Sequence, residues 1–210
     1  RILVGLRGGS NQPNNTSGGG GSFVVRPNDV PLIVAGGGGN RCRASGTPLR
    51  SVTDGSIENN GNSGYFNGSS LNNGGVNGGG GSTVVGGNGG GGGGFSGDGQ
   101  ASLDNRGPFT PANSIGAQSF LNEGVGGWGN MHLDGGGATS PQRFGGFGGG
   151  ASGGHYGAGA GGGYSGGGSD KNGTTGYAGG GGSYNAGTNK DDSAGVNEGH
   201  GKVVITFVGN

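Results

Sequence analysis

The sequence predicts a mostly irregular, β-containing fold: a bundle of glycine-rich polyproline II helices stitched together by a few short β-strands, with little or no α-helix. Three observations point to it. Gly accounts for 67 of 210 residues but keeps no three-residue period and is accompanied by only 7 Pro, which excludes a collagen triple helix. The glycine runs recur in one arrangement, a tetraglycine leading into a short apolar run, as in "GGGGSFVV" and "GGGGSTVVGG". Strand-forming runs stand at both ends, "RILVGL" and "KVVITFV". The competing reading is a disordered linker, which composition alone favours, because Val, Ile, Leu and Phe together stay below about a fifth of the chain.

By length the chain is one glycine-rich domain, 1–210. A strand over about 1–6 opens it. "SFVV" and "VPLIVA" then read as a hairpin turned by "RPND", with Pro27 at the second turn position and Asn28 and Asp29 after it. From Asn40 to Asn77 the chain is polar and irregular, with "NGSS" turn chemistry and scattered anchors at Val52, Ile57, Tyr65, Phe66 and Leu71. One or two helical turns fit "PANSIGAQSFLNEG". A strand over about 202–208 closes the sequence, with Val203, Ile205 and Phe207 alternating with Val204, Thr206 and Val208. It is apolar on both faces and needs cover on both. The two terminal strands are expected to pair and close the unit.

Glycine runs can fold only by collective backbone contact, since ordering glycine costs more entropy than ordering any other residue. A polyproline II helix has no internal hydrogen bonds, so its N–H and C=O groups point at neighbours. Without side chains such helices approach closely enough for N–H···O and Cα–H···O contacts. The interrupting aromatics, Phe144, Phe147, Tyr156, Tyr164, Tyr177 and Tyr184, are then expected to cap the bundle and fix its register.

The order of the non-glycine anchors carries a resemblance: "ILVG", "SGGGGSFVV", "VPLIVAGGGG", "NGGGGGGFSG", "SFLNEGVGG", "WGNMHLDGG", "RFGGFGGGASGG", "AGGGYSGG" and "GHGKVVI". In that order the chain resembles the glycine-rich domain in the ectodomains of the anaplastic lymphoma kinase and leukocyte tyrosine kinase receptors. The resemblance spans almost the whole chain and implies the same bundle architecture and a role in extracellular protein recognition. The receptors' domain is rich in disulfides where this chain has only Cys42. No ligand-contact residue is carried over.

No constellation for chemistry emerges. His132, His155 and His200 lack metal-ligand spacing, and His200 in "GHGK" is read as ordering the turn into the last strand. The many G-x-G-x-x-G matches are a by-product of composition. Asp170, Asp191 and Asp192 offer clustered oxygens for a calcium ion, but in neither EF-hand nor calcium-repeat spacing, and a solvated loop is the favoured reading. Cys42 reads as a small packed side chain. Trp128 is read as a hydrophobic plug beside the bundle, with an exposed binding patch as the alternative. Sequons at Asn14, Asn15, Asn67 and Asn172 are compatible with secretion.

Eleven Lys and Arg balance eleven Asp and Glu, which removes the electrostatic basis for nucleic-acid binding. No apolar run is long enough to span a membrane. The expectation is a non-enzymatic structural or recognition module, secreted or at the cell surface and without cofactor. It would mediate protein–protein assembly or adhesion with itself or neighbouring modules, in one version by self-assembly into filaments or a surface layer. The alternatives are a cytokine-binding segment of a receptor tyrosine kinase ectodomain and an adhesin like a phage tail-fibre tip. Ice binding is disfavoured, because the insertions interrupt any flat face.

Overall fold

The computed structural model describes residues 1–9, 17–42, 49–84, 89–102, 114–129, 143–154, 157–170 and 176–209. Its frame is built from extended glycine segments. Segment 89–95 runs through the middle and is buried along its whole length. A Cβ placed on Gly89 or Gly92 would meet the carbonyl oxygens of Ala158 and Gly161, on Gly90 or Gly93 those of Ile115 and Gln118, and on Gly91 or Gly94 those of Gly81 and Gly78. Each neighbour is met again after three residues, the period of a polyproline II helix.

The hydrogen bonds obey the same period. The N–H groups of Gly90 and Gly93 donate to Ser152 and Gly149, those of Gly91 and Gly94 to Gln100 and Gly97, and those of Gly92 and Phe95 to Gly167 and Tyr164. The carbonyls of residues 90–95 accept in turn from Ala160, Ala117, Gly81, Gly163, Phe120 and Leu121. Every backbone polar group of this stretch is therefore satisfied by another segment, as burial requires. The side chains that interrupt the frame are small: Ala117, Ala151, Ala158, Ala160 and Ala178 are fully buried.

A four-stranded antiparallel sheet covers one end. Strands β1 (Ile2–Leu3), β2 (Ser22–Arg26), β3 (Val30–Ala35) and β8 (Tyr184–Asn185) lie in the order β1-β2-β3-β8. The hairpin β2–β3 turns on Pro27–Asp29, where Asn28 and Asp29 take positive φ of 61° and 57°, a conformation short polar side chains tolerate. Two small hairpins flank the bundle, β4 (Tyr65–Phe66) with β5 (Ser69–Ser70) and β6 (Trp128–Gly129) with β7 (Arg143–Phe144). Asn67 and Gly68 both have positive φ, the geometry a two-residue hairpin turn demands. Among the described residues helix is confined to one turn, α1 (Arg50–Thr53), and to 3-10 turns at Pro27–Asp29 and Phe120–Asn122.

Register places Leu3, Phe23, Val34 and Tyr184 in one row across the sheet. That row faces the bundle and joins Phe95, Phe120 and Tyr164 in the hydrophobic core. The rings form a ladder: Phe23 stacks on Phe120 at 4.8 Å, Phe120 on Phe95 at 5.3 Å, Phe95 tilts against Tyr164 at 6.2 Å, and Tyr164 stacks on Tyr184 at 4.8 Å. The Arg1 guanidinium lies 4.7 Å over Phe120, in range for a cation–π contact.

The expected pairing of the two ends is not found. β1 takes β2 as its partner, and residues 202–208 form no strand. Among the described residues the two regions are bridged at the root of the terminal segment, where the Gly201 N–H donates to the Gly5 carbonyl at 2.7 Å and the Arg7 N–H to His200 Nδ1 at 3.3 Å. The reason is local: Arg1 exchanges two backbone bonds with Val25, so one edge of the opening segment is taken by a strand close in sequence. Lys202 still lines a cavity and Val203 is half-buried, and residues 204–208 beyond them are exposed.

Candidate recognition surface

Each side chain singled out in the sequence has a definite place. Tyr164 and Tyr184 are rungs of the ladder. Tyr177 is half-buried on a different flank, its backbone bridging Tyr65. Phe144 and Phe147 are 51% and 41% exposed, so neither caps the bundle as expected; both sit on the outside because residues 145–150 turn their glycines inward. Trp128 is 43% exposed opposite Phe144 in the β6–β7 pair, which corrects the plug reading. Tyr156, His132 and His155 lie outside the described residues. His200 is exposed, and its Nδ1 accepts from the Arg7 N–H at 3.3 Å, fastening the start of the terminal segment to β1's flank.

The three aspartates do not share an environment. Asp170 is fully buried, whereas Asp191 and Asp192 are exposed, with Asp192 accepting from Asn185 Nδ2 at 2.8 Å. Among the described residues no three His, Cys, Asp or Glu side chains gather as a metal site. Asp170 Oδ1 accepts from the Ala158 N–H at 2.8 Å, while Oδ2 has no hydrogen-bond partner. Burial pushes this carboxyl well above the usual carboxylate range, and backbone donors such as Ala158 only partly oppose it. Asp98 goes the other way: burial opposes its ionisation, but the Ser119 N–H and Asn122 Nδ2 outweigh it and hold the carboxyl below the usual range. Cys42 is buried, as its packed reading expected.

What the surface offers is apolar. The sheet's second row, Ile2, Val24 and Ile33, faces away from the bundle, and Ile2 and Ile33 are 55% and 51% exposed. The solvated face of an antiparallel sheet is ordinarily polar. Beside it, Val4 and Leu6 are also exposed, and the Leu6 N–H donates to Phe147, linking this face to the Phe144–Trp128 hairpin. Clustered exposed apolar residues mark contact surfaces. A polar cavity of about 340 Å³ lies between residues 193–202 and the glycine segments, lined by Leu6, Asp54, Ser183 and Lys202 among others.

Sequence reasoning missed Phe23, Phe95 and Phe120, the most buried rungs. A signal was present. Each closes a glycine-led stretch without other rings, in "GGGGSF", "GGGGF" and "GAQSF", as Tyr164 and Tyr184 do in "GAGAGGGY" and "AGGGGSY". Among the described residues no helix is long and apolar enough to cross a membrane. The fold and surface together define a glycine-helix bundle closed at one end by an aromatic ladder and a sheet with an apolar outer face. Compared with known proteins, the chain matches no family model, and neither a curated protein nor a solved structure matches it.

Proposed function

We propose that the protein is a non-enzymatic extracellular structural module, a rigid glycine-helix scaffold that assembles with copies of itself or with neighbouring modules. The observation that carries this reading is the apolar outer row of the sheet, Ile2, Val24 and Ile33, mounted on a frame whose central backbone is internally saturated. A rigid support lowers the entropic cost of association. The resemblance to the glycine-rich domain of the anaplastic lymphoma kinase and leukocyte tyrosine kinase receptors supports an extracellular setting and protein partners.

Beads coated with the protein are expected to cluster, and Ile33→Lys is expected to disperse them while leaving the melting temperature unchanged. Native beads that stay dispersed, or Ile33→Lys beads that cluster equally well, would refute the reading. The ordered anchors from "ILVG" to "GHGKVVI" also favour a second reading, a cytokine-binding segment of a receptor tyrosine kinase ectodomain. A reading frame with no membrane span or kinase in the same polypeptide would remove it.

A further inference from the structure

Two complementary surfaces lie unpaired, the outer edge of the opening segment and the terminal segment. The first is the outer edge of β1 and of Val4, which follows it. Because Arg1 exchanges its backbone bonds with Val25 and alternate residues of a strand point to opposite edges, Ile2 and Val4 turn their N–H and C=O groups away from β2. Among the described residues neither finds a backbone partner on that side. The edge ends at Leu6, whose N–H and C=O are engaged by Phe147 and Gly20.

The second is the terminal segment. Val204, Ile205, Phe207 and Val208 are exposed, Phe207 to 88%, and residues 202–208 make no backbone hydrogen bond among the described residues. The segment is β-branched and aromatic, and apolar at odd and even positions alike. A strand of that kind fits only a sheet with two apolar faces. This sheet has them, the row of Leu3, Phe23, Val34 and Tyr184 within and that of Ile2, Val24 and Ile33 without.

We infer that the protein forms a two-fold dimer in which the terminal segment 203–208 of each copy adds as a strand to the open β1 edge of the other. A second copy is the occupant because within one chain the segment stands exposed and unbonded while the edge stays open, and a copy supplies one such segment to each open edge. The geometry also selects a closed dimer over an open filament. Gly201 and His200 fasten the root of the segment to the Gly5 C=O and the Arg7 N–H, in the stretch that follows Val4 along the chain, so in each copy the donor's root adjoins the end of the acceptor edge and the two form one patch. A patch that contacts its own copy is isologous and closes under two-fold symmetry. The four outward groups of Ile2 and Val4 would pair in each half, giving strand addition of the ordinary kind.

The inference rests on the assembly reading above, but the two fail separately, since Ile33 lies two strands away from the exchanged edge. Sedimentation equilibrium across micromolar concentrations is expected to give a dimer for the native chain. Two variants should each sediment as monomers: one lacking residues 203–209, and Val4→Pro, which removes an outward N–H and leaves the β2 pairing intact. An equimolar mixture of the two should recover a dimer, because one still donates and the other still accepts. Amide exchange in residues 90–95 serves as the fold control, and the truncated chain, which leaves the sheet untouched, carries the test if Val4→Pro unfolds.

A native chain that stays monomeric overturns the inference. So does a monomer whose 203–208 amides are protected, which would mean that the segment folds back onto its own β1, and so does a truncated chain that dimerises as well as the native one. If the native chain is monomeric but coated beads still cluster through Ile33, the exchange is lost and the assembly reading stands.

Discussion

Placing one alanine in either of two adjacent positions of the run 18–21 should move stability in opposite directions. A Cβ on Gly18 would lie 2.0 Å from the Ala160 carbonyl oxygen and 2.4 Å from its carbon, whereas on Gly19 its nearest neighbours are the Gly38 N and O at 3.6 Å. To restore ordinary contact at about 3.4 Å, Gly18→Ala must part its segment from 158–163 by about 1.4 Å, an overpacking that costs about 1–3 kcal/mol. The same displacement stretches the bond from the Gly162 N–H to the Gly19 carbonyl, now 3.0 Å, past any useful length, at about 1–3 kcal/mol for the groups left buried. Against this stands a gain of about 0.4–1 kcal/mol from a less flexible unfolded chain. Gly19→Ala collects only the gain, because its site faces the cavity bounded by residues 36–38.

Thermal unfolding distinguishes the two. At about 2–4 °C per kcal/mol for a domain of this size, Gly18→Ala should melt roughly 2–20 °C lower and Gly19→Ala about 1–4 °C higher. Composition, propensity and neighbouring sequence are the same at both positions, so a disordered chain or a loosely collapsed one would treat them alike. Equal shifts, or a neutral Gly18→Ala, would refute the packed polyproline II frame.

Other expectations follow from the same frame. Phe120→Ala removes the rung between Phe23 and Phe95 and the platform under Arg1, and should cost about 3–5 kcal/mol in urea unfolding, whereas Phe144→Ala and Trp128→Ser, on the exposed hairpin, should stay within about 0.5 kcal/mol. Asp170→Asn should gain stability relative to the native chain as pH rises above 3.8, its ordinary value, because between that value and the raised folded-state value only the unfolded chain gives up the proton. Asp98→Asn should behave oppositely: it loses, above its ordinary value, a stabilisation that the native chain itself sheds as pH falls through the depressed folded-state value. Melting curves across pH check both signs. Amides 90–95, buried and bonded on every side, should exchange more slowly than those of the β4–β5 hairpin, read by mass spectrometry.

The local rules were legible. "RPND" and "NGSS" encode their turns through residues that accept positive φ, and both turns form where their chemistry places them. The bundle was legible as a class, because only collective backbone pairing can offset the entropy of so much glycine. Partner choice was not. "RILVGL" and "KVVITFV" are equally good strands, and nothing in either says that Ser22–Arg26 takes the first and leaves the second bare. The capping set was half legible for a similar reason. Counting aromatics finds Tyr164 and Phe144 alike, but the ladder rings close stretches of at least four residues that carry no ring, whereas Phe144 precedes its glycines and Phe147 follows only two.

The ladder explains how a frame nearly without side chains acquires a register. Segments 18–23, 89–95, 115–120, 159–164 and 179–184 run in the same direction: Gly18 and Gly21 meet Ala160 and Gly163, Gly89 and Gly92 meet Ala158 and Gly161, Gly90 and Gly93 meet Ile115 and Gln118, and the Gly161 and Tyr164 amides donate to Gly179 and Gly182. All five end in a ring, and the five rings stack as one series. A slip of one segment by a residue would rotate its contacts by a third of a turn and also pull its ring out of the stack, so backbone and cap enforce the same alignment. Per residue, a hydrogen bond of about 1 kcal/mol and a Cα–H···O contact of about 0.5–1 kcal/mol together only match the roughly 1–2 kcal/mol of backbone entropy lost on ordering. The glycine frame is thus near balance by itself, and the net stability rests on burial of the five rings with the sheet row behind them. It follows that the sheet bearing the exposed apolar face is also the element that holds the bundle closed, so a partner bound there should stabilise segments on the far side of the molecule that it never touches.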